Sequence, residues 1–140
     1  PKPTFRNKQK EKIQGSRIMS NISIPVTTQT YENEITNANV PVVVDFWAPW
    51  CGPCRTLSPV LEELGDRFYG KVKVAKINVD EEPTLANQFG VRGIPTLVVM
   101  HNGESMGQMV GFSGKKPLED LFMELAKLAD GTIDSSVAQA

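Results

Sequence analysis

The sequence predicts an α/β domain with one mixed β-sheet that is flanked by helices on both faces. Two observations predict this class. Short β-branched runs, of which residues 42–47 (VVVDFW) are the clearest, alternate with segments whose apolar residues recur at helical spacing. Near the end, the runs at 96–100 and 106–110 flank an Asn-Gly pair that is typical of a tight hairpin. We therefore expect parallel strands first and an antiparallel hairpin last.

The length and composition of the chain indicate a single globular domain. The chain has 140 residues, of which 40% are hydrophobic and 22% are charged. A chain of this length buries roughly two thirds of the surface that it exposes when unfolded, so its fold needs no disulfide. The longest uncharged apolar run falls far short of the roughly 20 residues that span a bilayer. We therefore expect one soluble domain and no membrane partner.

The first residues differ in charge from the rest of the chain. Residues 1–18 contain six lysines and arginines but only one acidic residue, Glu11. Such a segment could be functional, as a transit-peptide remnant or a nucleic-acid arm. It could instead be a disordered basic leader or a cloning-derived segment that ends at a native Met19. We expect a disordered leader or a cloning-derived segment. We assign residues 1–20 to it, 21–130 to the folded domain and 131–140 to a polar C-terminal tail.

The elements before the cysteines follow from local patterns. Residues 22–26 are apolar enough for an edge strand, and Thr30 stands where it could cap a short helix that ends at Ala38. Residues 42–47 form a run of the kind that is buried on both faces of a parallel sheet. The expected order up to this point is strand, helix, strand.

The remaining elements continue the alternation. A helix is predicted from residue 51 to about residue 68 by an apolar stripe: Leu57, Val60, Leu61, Leu64 and Phe68. Residues 71–80 predict the next strand, and residues 82–90 a short helix that stops at Gly90. After the hairpin, a second stripe predicts a closing helix: Leu118, Leu121, Phe122, Leu125 and Leu128. The predicted order is β-α-β-α-β-α-β-β-α.

The chain has only two cysteines, Cys51 and Cys54, and they are the candidate site. A structural zinc site needs four cysteine or histidine ligands, and the single histidine, His101, is distant in sequence and falls at a predicted turn. We therefore expect no metal and no cofactor. A purely structural disulfide is also disfavoured, because closing so small a loop removes little entropy from the unfolded chain.

A redox-active dithiol fits the surrounding residues better. Cys51 falls where a strand ends and a helix begins, and the free N–H groups and helix dipole there favour a thiolate. Gly52 lets the backbone turn tightly, and Pro53 lies in the first helical turn, where its missing N–H costs little. Cys54, one turn inward, is expected to be shielded from solvent but within reach of Cys51. One sulfur would attack and the other would resolve.

Two charged residues interrupt apolar strands. Asp45 lies within the run at 42–47, where burial would raise its pKa toward the range in which it accepts a proton. The alternative is an aspartate at a frayed strand end. Lys76 breaks the alternation set by Val72 and Val74, and the alternative for it is a snorkelling lysine at a sheet edge.

The segment WCGPC after VVVDFWA, together with VAKINVD and GIPT, resembles the thioredoxin family over about residues 22–129. The resemblance implies the thioredoxin fold and a protein-disulfide reductase that works by reversible dithiol-disulfide exchange through Cys-Gly-Pro-Cys. It implies that Cys51 attacks, that Cys54 resolves, and that Asp45 and Lys76 form a buried pair whose titration is coupled to the cysteines. It also implies that the peptide bond before Pro95 is cis, which would place the Ile94 backbone beside Cys51.

The resemblance further implies an apolar surface around an exposed Cys51 sulfur, where an extended segment of a protein substrate could bind. Its residues are Trp50, Gly52, Pro53, Gly93, Ile94, Pro95 and Gly111. Trp47, by contrast, is expected to serve packing.

The implied partners are disulfide-containing target proteins and a thioredoxin reductase, which is either a flavoprotein or a ferredoxin-linked enzyme. The implied protein is a monomer of the cytoplasm, with the plastid stroma as the alternative. An oxidase or isomerase is disfavoured by Gly52 and Pro53, because the family's isomerases usually carry a histidine next to the second cysteine. A redox-inert binding or scaffold subunit is disfavoured because both cysteines and both buried charges are present. No basic patch in the folded part points to nucleic acid.

Overall fold

In the computed structural model, which describes residues 22–131, five strands form one mixed sheet. They are β1 (Ile24–Pro25), β2 (Val42–Trp47), β3 (Lys73–Asn78), β4 (Thr96–His101) and β5 (Glu104–Val110). The sheet order is β1-β3-β2-β4-β5, with the first three strands parallel and β4 and β5 antiparallel to their neighbours. The expected leader over 1–20 and the expected tail beyond Gly131 lie outside the described residues.

Within this range, a short π-helical turn and two α-helices connect strands, and a third α-helix follows the last strand. They are the π-helical turn Glu32–Thr36, α1 (Gly52–Arg67), α2 (Pro83–Gln88) and α3 (Lys115–Ala129). The predicted order of elements is confirmed. None of the helices in the described part of the chain combines the length and apolar character needed to cross a membrane.

Each face of the sheet is covered by its own helices because side chains alternate along every strand. Val43 and Val74 face the core beneath α1 and α3, whereas Val44 and Phe46 face the core that includes the π-helical turn and α2. The central strand β2 is therefore buried on both faces, as the run at 42–47 predicted. By the same alternation, Asp45 lies on the face covered by α1.

Two sequence-based expectations at the N-terminal end are wrong. The first strand is only Ile24–Pro25, because the N–H groups of Ile22 and Ser23 donate to the carboxylate of Glu62 on α1 instead of pairing with the sheet. Thr30 does not cap the following turn, since its hydroxyl accepts the N–H of Thr27. In both cases the polar group that the expected strand or cap would use forms a hydrogen bond with a residue outside that element instead.

The hairpin and the last helix agree with the sequence. Asn102 and Gly103 have φ angles of 55° and 81°, which are the positive values that the Asn-Gly pair predicted. His101 is the last residue of β4, where it pairs with Glu104 and is half-buried, so the expected turn residue instead ends the strand just before the turn. The closing helix α3 buries Leu118, Phe122, Leu125 and Leu128 against the sheet.

Gly65 on α1 allows the N-terminal segment to lie close to the helix, and we expect Gly65→Ala to destabilise the protein. A methyl group there would lie 2.5 Å from Ile22 Cγ2 and 3.1 Å from Val74 Cγ2. Overpacking should outweigh the better helix propensity of alanine and lower the free energy of unfolding by about 1 to 2 kcal/mol. Urea unfolding measures the change. Combining Gly65→Ala with Ile22→Ala should recover most of the loss relative to Ile22→Ala alone, and a Gly65→Ala protein of undiminished stability would contradict the expectation.

Candidate active site

The two cysteines form a disulfide at the beginning of α1. Cys51 is the residue that caps the helix, and its Cα lies 5.3 Å from that of Cys54. The N–H of Cys54 donates to Cys51 Sγ over 3.2 Å. This donor is one of the N–H groups that a helix start leaves without a backbone partner. The same N–H, together with the helix dipole, stabilises Cys51 as a thiolate once the disulfide is reduced.

Both sulfurs are shielded in the disulfide form. Cys51 is 5% exposed and Cys54 is 3% exposed. The expectation that the Cys51 sulfur is exposed is therefore wrong for this form, although Cys51 is the less buried of the two. The backbone carbonyl of Ile94 covers it at 3.8 Å from Sγ. Gly52 and Pro53, between the cysteines, are exposed.

The segment before β4 forms one side of the approach to Cys51. The peptide bond between Ile94 and Pro95 is cis, as the resemblance implied. The N–H of Gly111 donates to the carbonyl of Pro95 over 2.8 Å, which joins the two loops of the expected substrate surface. Gly93 is exposed and Ile94 is half-buried, but Pro95 is buried. Pro95 therefore adds little to the exposed apolar surface, which corrects its expected contribution there.

A groove of about 360 Å³ is bounded by Trp50, which precedes Cys51, and by Ile94, whose carbonyl oxygen lies 3.8 Å from Cys51 Sγ, so it lies beside the disulfide. It is lined by Trp50, Val79, Ala86, Val91, Arg92, Gly93 and Ile94. Trp50 is 66% exposed, and its indole N–H donates to Asp80 over 2.9 Å. Four lining residues were absent from the sequence-based set: Val79, Ala86, Val91 and Arg92. They come from α2 and the loops around it. Val79 lies within the VAKINVD segment and Arg92 directly precedes the GIPT segment, so these two were next to a sequence signal, whereas Ala86 and Val91 were not.

Asp45 is buried without a hydrogen-bond partner. It is 1% exposed, and neither carboxylate oxygen has a partner among the described residues. Burial raises the pKa of Asp45 from 3.8 to about 7, and the positive charge of Lys76 opposes this shift. The alternative interpretation, that Asp45 lies at a frayed strand end, is thus excluded. The carboxyl group can take up or release a proton near neutral pH.

Lys76 stands next to Asp45 on the neighbouring parallel strand. Its ammonium nitrogen lies 4.5 Å from the centre of the Trp47 ring and 3.5 Å from Ser58 Oγ on α1. Lys76 is half-buried on an inner strand, which excludes the snorkelling lysine at a sheet edge. Trp47 packs against this ammonium and does not line the groove.

The alternation of side chains brings these residues to one side of the sheet. Asp45 and Lys76 have the same parity as Val43 and Val74, which pack beneath α1. The helix that carries Cys54 therefore covers both charged residues. A dithiol pair at a helix start, with a titratable carboxyl group beneath the same helix, defines a thiol-disulfide oxidoreductase.

Comparison with known proteins agrees with this class. The thioredoxin family model matches residues 22–126. The chain is 47% identical over 93 residues to thioredoxin 1 of Nostoc sp., covering 66% of this chain and 87% of that protein. It is 46% identical over 93 residues to thioredoxin of Pyropia yezoensis, covering 66% of this chain and 87% of that protein. It is 48% identical over 88 residues to thioredoxin of Haemophilus influenzae, covering 63% of this chain and 82% of that protein. The chain belongs to the thioredoxin family.

Family membership confirms the main expectations from the sequence. The fold is the thioredoxin fold, and the protein is a protein-disulfide reductase whose redox-active centre is Cys51 and Cys54. The family also implies disulfide-containing target proteins and a reductase as partners in general terms.

Proposed function

We propose that this protein reduces disulfides in a broad set of target proteins within a reducing compartment, and that an external thioredoxin reductase restores its dithiol. The compartment is the cytoplasm, with the plastid stroma as the alternative. The reductase is a flavoprotein or a ferredoxin-linked enzyme. The observation that carries the proposal is the Cys51 sulfur at the start of α1, where it accepts the N–H of Cys54.

The reaction has two exchange steps. In the reduced protein, the Cys51 thiolate attacks one sulfur of the target disulfide, which forms a mixed disulfide and releases the other target sulfur as a thiolate. The Cys54 thiolate then attacks Cys51 Sγ, which releases the second target thiolate and closes the disulfide seen here. Two electrons pass from the protein dithiol to the target. The external reductase returns two electrons.

Asp45 is proposed to take the proton of the Cys54 thiol before the second step. A poorly solvated thiol needs a nearby acceptor because water cannot reach it freely. The pKa of Asp45, which burial raises to about 7, lets the carboxylate take up this proton near neutral pH. Lys76 keeps part of the Asp45 population ionised by its positive charge.

The groove beside the disulfide suits an extended segment of a target protein. Its walls are largely apolar, and Trp50 supplies a large exposed aromatic face. The neighbouring backbone of Ile94, close to Cys51, could pair with such a segment as an added strand. A largely apolar groove binds a segment mainly through apolar contacts and few directed polar ones, which fits a general reductase.

The reduction potential of the Cys51–Cys54 couple tests the proposal. The protein is equilibrated with graded ratios of reduced and oxidised thiol buffer, and its two redox forms are quantified after acid quenching. We expect a value near the roughly −270 mV that is typical of this family. A value at or above about −180 mV would instead place the protein with isomerases and oxidants of an oxidising compartment. Parallel turnover assays with a flavoprotein reductase and with a ferredoxin-linked reductase then identify the electron donor class.

A further inference from the structure

Two uncharged groups hold the Lys76 ammonium. Its nitrogen lies 3.5 Å from Ser58 Oγ and 4.5 Å from the centre of the Trp47 ring. The Asp45 carboxylate has no hydrogen-bond partner among the described residues. Lys76 therefore acts on Asp45 as a charge at a distance, and the strength of that action depends on where the ammonium is held.

Ser58 occupies a specific place on α1. It follows Cys54 by four residues, so the two side chains lie on the same face of the helix, one turn apart. Ser58 is half-buried, and α1 covers the side of the sheet on which Asp45 and Lys76 lie. Its hydroxyl thus links the helix of the cysteines to the strand of the lysine.

We propose that Ser58 is a positioning residue whose hydroxyl accepts a hydrogen bond from the Lys76 ammonium and thereby holds that charge beside the buried Asp45. A lysine has a long flexible side chain, and a half-buried one can turn its ammonium toward water. The Trp47 ring attracts the ammonium but offers no directed hydrogen bond. The hydroxyl of Ser58 accepts a directed hydrogen bond, which fixes the position of the ammonium. This inference rests on the proposed proton exchange between Asp45 and Cys54.

The identity of the residue agrees with this role. Alanine forms helices better than serine does, so a serine within α1 has a cost that a hydrogen bond to a charged group offsets. Thr56 provides a comparison on the same helix. It is exposed, and its hydroxyl donates to the carbonyl of Gly52 in its own helix over 3.4 Å. Thr56 therefore carries a hydroxyl near the cysteines without contact to Lys76.

Lys76 is the charged group that acts on Asp45 within the described residues. Leu97 stands opposite Asp45 on β4 and carries no charge. The buried carboxylate of α1, Glu62, is engaged by the N–H groups of Ile22 and Ser23. A change in the Asp45 titration after substitution of Ser58 is thus attributable to the position of Lys76.

The test is an NMR titration of the Asp45 side-chain carboxyl carbon in the oxidised full-length protein. In Ser58→Ala the ammonium loses its hydroxyl partner, and we expect the pKa of Asp45 to rise by about half a pH unit. Lys76→Met should shift it in the same direction and further, Ser58→Thr should restore the original titration, and Thr56→Ala should leave it unchanged. An Asp45 titration that is the same in Ser58→Ala and in the unsubstituted protein overturns the proposal. Urea unfolding of each variant confirms that the comparison is made on folded protein.

Turnover separates this proposal from the proposed function. If Asp45 exchanges its proton with Cys54, the acid limb of the pH profile for disulfide reduction should move with the Asp45 titration. Ser58→Ala should then be about threefold slower near pH 6 and unchanged near pH 9. A shifted Asp45 titration with an unmoved acid limb supports the positioning role of Ser58 and overturns the proton-accepting role of Asp45.

Discussion

Substituting Cys51 by serine should abolish disulfide reduction. The attacking thiolate and the hydrogen bond from the N–H of Cys54 both belong to Cys51 Sγ, and a serine hydroxyl does not ionise near neutral pH. We expect the rate of reduction of a protein disulfide to fall by at least roughly a thousandfold, to the background of the assay thiol. The measurement is turnover with a limiting supply of an external reductant.

Cys54→Ser should show a different defect. The first exchange step remains, because the nucleophile Cys51 is intact, but no thiol is present to resolve the mixed disulfide. The variant should therefore accumulate a covalent complex with its target, which non-reducing electrophoresis detects and added thiol reverses. The double variant Cys51→Ser, Cys54→Ser is the matched control and should form no complex.

The two single variants also test the order of attack. If Cys51→Ser traps the target and Cys54→Ser does not, the roles of the two sulfurs are reversed. The structure gives a physical reason for the expected order, since the Cys51 sulfur accepts the N–H of Cys54 at the start of the helix. Retained reduction in the double variant would contradict the dithiol mechanism as a whole.

Local patterns in the sequence were enough to predict most of the fold. β2 has the bounds expected from its apolar run, and the Asn102–Gly103 turn has the expected positive φ angles. The errors fall where a distant residue intervenes. Glu62 is 40 positions from Ile22, and no local pattern reveals that its carboxylate takes the N–H groups of the expected first strand.

The site likewise has features that local sequence patterns reveal and features that depend on residues distant in sequence. Cys51 and Cys54 are close in sequence and sit on a recognisable strand-to-helix junction, so the pattern identifies them directly. Asp45 is identified because a carboxylate in an apolar strand is unusual. The Ile94 backbone beside Cys51 was implied by the resemblance alone, and the contact of Ser58 with Lys76 was not predicted. Both join elements that only the topology of the sheet brings together.

The buried carboxyl group of Asp45 should make the stability of the oxidised protein depend on pH in an unusual direction. Burial raises its pKa in the folded state from 3.8 to about 7. Between these values the folded protein keeps a proton that the unfolded chain has released, so the free energy of unfolding falls as the pH rises. The contribution of this group is thus most favourable below about pH 4 and is lost by about pH 8, which amounts to about 4 kcal/mol.

Asp45→Asn should remove this dependence, because the amide is neutral at every pH and has nearly the same shape. We expect the variant and the unsubstituted protein to have similar stability near pH 4, where both side chains are uncharged, and the variant to be more stable by up to about 4 kcal/mol above pH 8. Urea unfolding at a series of pH values measures the difference, in which the titration of all other groups cancels. Asp66→Asn, at an exposed position of α1, controls for the loss of one negative charge. Parallel curves for Asp45→Asn and the unsubstituted protein between pH 4 and 9 would mean that Asp45 is not held in the folded state with the raised pKa that its burial requires.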